Sequence, residues 1–176
     1  MLDFELSVLD FIQSFSGNEI IDNFWVFLTH IGDNGMIWIL LSLALLIIPR
    51  TRKVGLMCVC GVILSGLFTN VILKQLIGRA RPFNYSEIEL LISKPHDFSF
   101  PSGHTSISFA VAFVLWQEKF KIKKFKFYLL TMVLAVLISF SRLYLYVHFP
   151  TDIIAAVVLA FGYSIIARKV GNKLIH

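Results

Sequence analysis

Apolar residues fall into five runs separated by short polar breaks. They cover about Met36 to Ile48, Val54 to Leu73, Ser102 to Trp116, Phe127 to Ser141 and Ile153 to Ala167. The second contains no charge at all. Such runs predict membrane-crossing helices, which need about 20 residues and start near 17. Several are short unless the polar residues at their ends also enter the helix. Ends of that kind, held inside a protein in a bilayer, line a cavity. Residues 1–34 carry a different pattern. Phe4, Val8, Phe11, Ile12 and Phe15 recur at helical spacing among Asp3, Glu5 and Asp10, which predicts an interfacial amphipathic helix. Gly17 and Asn18 break it. A second helix starts at Asn18 or Glu19 and carries Ile20, Phe24, Phe27 and Leu28, and Gly32-Asp33-Asn34-Gly35 makes a turn. Glu19–Ile31 either lies on the membrane surface or joins its successor as a sixth span. The expected fold is therefore all-α, a polytopic transmembrane helix bundle with five spans or six. It forms one domain overall, with an N-terminal amphipathic segment over 1–34 and the bundle over 35–176.

Composition strengthens this reading. Of 176 residues, 57% are hydrophobic and 15% charged, and 17 are Phe, against roughly 45–50% and 25% in an average soluble domain. Disorder is excluded, and a soluble monomer would lack the polar residues to coat its surface. Cys58 and Cys60 lie in an apolar run and read as apolar filler, not as a disulfide or zinc site. No signal peptide is expected, because the first residues are acidic.

The net charge is +5, and its placement matters more than its size. Residues 1–49 hold six acids and no Lys or Arg. Arg50, Arg52 and Lys53 fall between the first two runs. Lys119, Lys121, Lys123, Lys124 and Lys126 fall between the third and fourth, and Arg168, Lys169 and Lys173 follow the fifth. These 11 bases mark the cytoplasmic side. The other five, Lys74, Arg79, Arg81, Lys94 and Arg142, fall on the opposite side and require another reason. No polar loop alternates bases with aromatics, which argues against nucleic-acid binding.

The outward helix ends concentrate chemistry. The second run finishes in Lys74-x6-Arg81-Pro82, the third opens on Pro101-Ser102-Gly103-His104, and the fourth ends in Ser141-Arg142. The fifth follows His148-x3-Asp152. Ionisable groups at membrane depth default to a functional site. Lys74 and Arg81, seven apart, share a helix face, and with Arg142 they suit a multiply charged anion. Taken singly, each also reads as a snorkelling helix end. Ser102 is a good N-cap, and Gly103 would let a ligand approach the backbone of a helix N-terminus. Pro150 sits at a first helical turn, so His148 and Asp152 can face the same way. A carboxylate on one imidazole nitrogen fixes the tautomer and frees the other nitrogen to attack; Asp152 as a simple cap is the alternative. His104, on another helix, can serve a leaving oxygen as acid. No carboxylate cluster suits magnesium, so neither a metal nor a cofactor is required.

In order and spacing these segments resemble the type 2 phosphatidic acid phosphatase (PAP2) superfamily of integral-membrane lipid phosphate phosphatases, whose signature reads K-x6-RP, PSGH and SR-x5-H-x3-D. All three motifs match without departure, over residues 74–152. The resemblance implies that Lys74, Arg81, Arg142, Ser102 and Gly103 bind the phosphoryl group. It implies that His148 becomes a phosphohistidine, that Asp152 orients it, and that His104 protonates the leaving group and then activates water. It further implies a multi-pass membrane enzyme with an extracytoplasmic site, acting on a lipid phosphate. Undecaprenyl pyrophosphate is the leading candidate, and phosphatidylglycerol phosphate and phosphatidic acid are the alternatives. A non-enzymatic anion or lipid-phosphate transporter would also want cations at helix ends, but not the two histidines. Oligomeric state stays open.

Further residues carry smaller expectations. Arg79 is expected to hold a second phosphate or to pair with Glu87 or Glu89. Tyr144 and Tyr146 read as interface aromatics, and His30 as a polar-face residue. The outer loop Phe83–Phe100, with His96 and Asp97, is too short for a soluble insert and suits a gate over a headgroup. The pairs Gly61/Ser65, Ser106/Ala110 and Ser108/Ala112 predict close helix packing.

Overall fold

The computed structural model describes residues 1–120 and 126–175; Lys121, Lys123 and Lys124 of the basic cluster lie outside them. The described residues form helices and no strands. Helix α1 covers Leu2–Gln13, α2 Glu19–Ile31 and α3 Met36–Ile47. Next, α4 covers Arg52–Leu64, widens into a π-helical stretch over Ser65–Leu73 and continues as α5, Lys74–Ile77. The last three are α6 (Gly103–Gln117), α7 (Phe127–Tyr144) and α8 (Pro150–Leu174). The described residues contain three helices long and apolar enough to cross a bilayer: Arg52–Asn84, Phe127–Tyr144 and Pro150–Leu174. They contain four if the pair formed by Glu19–Ile31 and Asp33–Ile47, bent by 42°, is one span. The sequence pattern predicts five or six. The difference falls on α3 and α6, with 12 and 15 residues.

Short length suits α6 because it is the centre of the bundle. Every residue from Thr105 to Ala112 is buried, with α4, α7 and α8 packed around it. Small residues permit this. Gly61 of α4 faces Ala110, and Ser65 Oγ donates to Ser106 Oγ at 2.7 Å. Thr69 shares a hydrogen bond with Ser106 at 2.9 Å. Hydroxyls hold helices together here because lipid supplies no competing water. Gly55 brings α4 against α3 so closely that a Cβ would sit 2.2 Å from the Leu46 backbone nitrogen.

The N-terminal helices turn the expected faces outward. Phe4, Phe11 and Phe15 are 72%, 67% and 59% exposed, whereas Glu5 and Leu9 are buried. Likewise α2 exposes Ile20, Phe24 and Phe27 and buries Leu28 and Thr29. The apolar stripe faces where lipid would lie, and Glu5 of α1 and Thr29 of α2 turn into the protein. Asn18 caps α2, accepting from the Ile20 and Ile21 amides at 3.0 and 3.3 Å. Tyr144 and Tyr146 are buried, not interfacial. Their hydroxyls donate to Asp22 of α2 and Asp10 of α1, each at 2.6 Å. These bonds tie both N-terminal helices to the end of α7.

Candidate active site

The end of α5, the starts of α6 and α8 and the end of α7 meet at one end of the bundle. A pocket of about 700 Å³ opens there, and Lys74, Arg81, Gly103, His104, Arg142 and His148 all line it. Two of the eight residues singled out by the sequence do not line it. Ser102 is fully buried, with its hydroxyl accepting from the Thr105 hydroxyl at 3.0 Å and, at 3.4 Å, from the Thr105 amide as the cap of α6. Asp152 lies behind His148. The gap left by the absent Cβ of Gly103 admits a neighbouring side chain: a Cβ would fall 2.2 Å from Asn70 Oδ1.

His148 is enclosed, with 1% of its surface exposed. Its Nδ1 faces Asp152 Oδ2 at 3.3 Å, and its Nε2 faces Arg81 Nη1 at 3.3 Å. The guanidinium can only donate, so Nε2 presents its lone pair on the pocket side, and the proton sits on Nδ1 toward the carboxylate. Burial, and then the charges of Arg81, Arg142 and Lys74, push this imidazole well below the usual histidine range. It is therefore neutral. The same Asp152 oxygen accepts from the Phe149 amide at 2.8 Å and from Ser99 Oγ at 2.5 Å, which fixes the carboxylate at the first turn of α8.

The three cations differ in how they are held. Arg81 donates to the Val147 carbonyl at 2.6 Å and the Asp97 carbonyl at 2.8 Å. Its Nη2 meets Asp97 Oδ1 at 2.5 Å, and Lys74 Nζ binds the other Asp97 oxygen. Burial alone would raise the Asp97 carboxyl, but Lys74 and Arg81 hold it down at about 2. Arg142 donates to Thr29 Oγ1. Its Nε is buried without a hydrogen-bond partner, and no carboxylate pairs with it among the described residues. A buried cation with a free donor costs stability unless an anion completes it. The arrangement can therefore hold a dianion against Arg142, in competition with Asp97 for Lys74 and Arg81.

His104 enters from α6 and contacts Asp33 of the α2–α3 turn, Nε2 to Oδ1, at 3.0 Å. The other Asp33 oxygen meets His30 Nδ1 at 2.8 Å. His148 on Asp152, and His104 on the Asp33 that it shares with His30, thus face one pocket beside three cations. That is equipment for moving a phosphoryl group.

The sequence profile of the PAP2 superfamily matches residues 55–175. The chain belongs to the PAP2 superfamily. Among curated PAP2 relatives, an undecaprenyl-diphosphatase of Sulfolobus acidocaldarius is 34% identical over 148 residues, covering 82% of this chain and 68% of that one. A decaprenylphosphoryl-5-phosphoribose phosphatase of Mycobacterium tuberculosis is 28% identical over 146 residues, covering 82% and 77%. Among solved structures, LpxE of Aquifex aeolicus superposes with a TM-score of 0.76 at 25% identity, covering 93% of this chain and 94% of that one. The protein is thus a multi-pass membrane protein of a lipid phosphatase family.

Several residues at the PAP2 site were not legible in the motifs. Asp33 appears in the sequence as a turn residue, and only the packing of that turn on α6 brings it to His104. Asp97 was placed in a gating loop, but its charge gave no sign that it would sit on Lys74 and Arg81. Arg79 was expected to hold a second phosphate or to pair with Glu87 or Glu89. It pairs instead with Glu5 and Asp152.

Proposed function

We propose that the protein hydrolyses the terminal phosphate of a lipid phosphate or pyrophosphate through a phosphohistidine on His148, with undecaprenyl pyrophosphate as the leading substrate. The reading is carried by His148: enclosed and neutral, backed by Asp152, with its free nitrogen beside Arg81. Phosphoryl oxygens held by Lys74, Arg81 and Arg142 bring phosphorus toward Nε2. Asp97 must give up its two cations as the phosphate arrives. His148 Nε2 forms the bond to phosphorus while the bond to the leaving oxygen breaks, and His104 supplies the proton to that oxygen. Water, deprotonated by His104, then attacks the phosphohistidine, releasing phosphate and the free imidazole. Gly103 contributes from the pocket wall, and Ser102 acts by capping α6. The bundle over 35–176, with the 1–34 segment packed on it, works as one domain.

The PAP2 motifs read a phosphate and not the tail. What supports the polyprenyl diphosphate is the relationship to the undecaprenyl-diphosphatase. Undecaprenyl pyrophosphate, phosphatidylglycerol phosphate and phosphatidic acid presented in the same mixed micelles decide among them. Undecaprenyl pyrophosphate is expected to be turned over at least about tenfold more efficiently in kcat/KM than the other two. Binding of all three without phosphate release would overturn the enzymatic reading in favour of a carrier.

Turnover is metal-independent in this reading. The pocket carboxylates are already engaged, Asp97 by Lys74 and Arg81 and Asp33 by two histidines. In excess EDTA, kcat is expected to stay within about twofold of the untreated enzyme, since cations and not a metal meet the phosphate. Loss in EDTA with recovery in magnesium contradicts this.

The site faces away from the cytoplasm. Arg50, Arg52, Lys53, Lys119, Lys126, Arg168, Lys169 and Lys173 lie at or beside helix ends opposite those that form the pocket. That charge bias sets orientation. A Glu89→Cys variant, with Cys58 and Cys60 replaced, is expected to react with a membrane-impermeant thiol reagent on intact cells. Reaction only after lysis inverts the topology.

A further inference from the structure

We infer that Glu5 and Arg79 are positioning residues for Asp152, which makes the N-terminal helix a working part of the reactive unit. This rests on the reading that Asp152 orients and supports His148. Arg79 belongs to none of the three motifs, and Glu5 lies outside the residues matched by the family profile. Nevertheless Arg79 Nη1 donates to Asp152 Oδ1 and to Thr151 Oγ1, both at 2.7 Å, and its Nη2 donates to Glu5 Oε2 at 2.6 Å. The second Glu5 oxygen accepts from Thr151 Oγ1 at 2.5 Å and from the Thr151 amide at 3.2 Å. The guanidinium lies over the Phe149 ring, 4.0 Å from its centroid. Glu5 is only 3% exposed, on a helix whose phenylalanines point outward. A carboxylate buried at such a place is costly unless it is paired, so its position needs this partner.

Geometry and charge both give the pair a function. A planar guanidinium held by Glu5 at one end has a single orientation at the other. It fixes Oδ1 of Asp152, and thereby the direction in which Oδ2 meets His148. Arg79 alone, beside Asp152, would also cancel the negative charge that supports a positive ring on His148. Glu5 restores it, leaving one net negative charge behind the imidazole. As the phosphohistidine forms, that charge favours the transition state over the bound substrate.

The test is a mutant cycle on the purified full chain in detergent, using undecaprenyl pyrophosphate or an aryl phosphate as the probe. Glu5→Gln keeps the shape and removes the charge. It is expected to lower kcat about tenfold with KM within about twofold, and to lower it less than about twofold when Arg79 is already Ala. Arg79→Lys replaces Arg79→Ala if the latter does not fold, because one ammonium cannot hold both carboxylates in the same fork. The same factor for Glu5→Gln in both backgrounds means that α1 only stabilises the fold, which overturns the inference, as does an unchanged kcat. Asp152→Asn, measured alongside, separates the two levels. Full turnover in that variant refutes the reading of Asp152 itself, whereas loss there with wild-type kcat in Glu5→Gln refutes only the role of Glu5 and Arg79.

Discussion

Replacing His148 with alanine is expected to lower phosphate release by about four orders of magnitude or more, the scale seen when a nucleophile is removed from a covalent mechanism. The remaining groups cannot substitute. His104 approaches from another helix and is held on Asp33 at 3.0 Å, and no other imidazole among the described residues has a nitrogen beside Arg81. Substrate binding should change little by comparison, because Lys74, Arg81 and Arg142 are left in place. The measurement is rapid quenching with lipid carrying labelled terminal phosphate. The unmodified enzyme accumulates acid-labile, alkali-stable label on protein, and the variant accumulates none. Label trapped on His104, or turnover by the variant within tenfold of the original, would reverse the assignment of the two histidines.

His104→Ala is expected to show a loss that depends on what departs. An alkoxide, as from phosphatidic acid, must be protonated as its bond to phosphorus breaks, and losing the acid there costs about 10²–10⁴-fold. An aryl phosphate has a weakly basic leaving oxygen, so the loss should fall to about tenfold or less. A lipid diphosphate, which releases a phosphate monoester, should lie between the two. Comparing kcat/KM for the three classes in wild type and variant gives the dependence directly. A uniform loss across leaving groups means that His104 acts in binding and not as the acid. Asp33→Asn should follow the same ranking with smaller amplitude, since the Asp33 carboxylate works only through His104.

The two variants concern residues legible as letters in the chain, and the reason is local. Lys74 with Arg81, the Pro101–His104 segment and His148 with Asp152 are each set by spacing along one short stretch. The first-turn proline of α8 sets Asp152 behind His148, but Lys74 and Arg81 do not share a helix face as their spacing predicts: α5 ends at Ile77, Gly78 turns the chain at φ 62°, and Arg81 reaches the pocket from extended backbone. The family follows from those segments alone. Apolar run length and the asymmetry of Lys and Arg likewise speak of a bilayer without any coordinates, because the cost of exposing polar groups to hydrocarbon acts on every residue independently.

What the sequence could not determine is which distant side chains complete those local sets. Asp97 reaches Lys74 across 23 positions, Asp33 reaches His104 across 71, and Glu5 reaches Arg79 across 74. Each pairing depends on how helices pack, and an acidic residue carries the same sequence signal wherever its partner lies. The partners of the N-terminal faces were open for a related reason. Periodicity locates a stripe of Phe but not the medium it meets, and only the packed structure shows α1 turning Phe4 and Phe11 outward and Glu5 inward. Run length alone also says little about how a short apolar helix is housed. A central helix sheathed by its neighbours, as α6 is, can remain at 15 residues, because those neighbours and not its own length separate it from lipid.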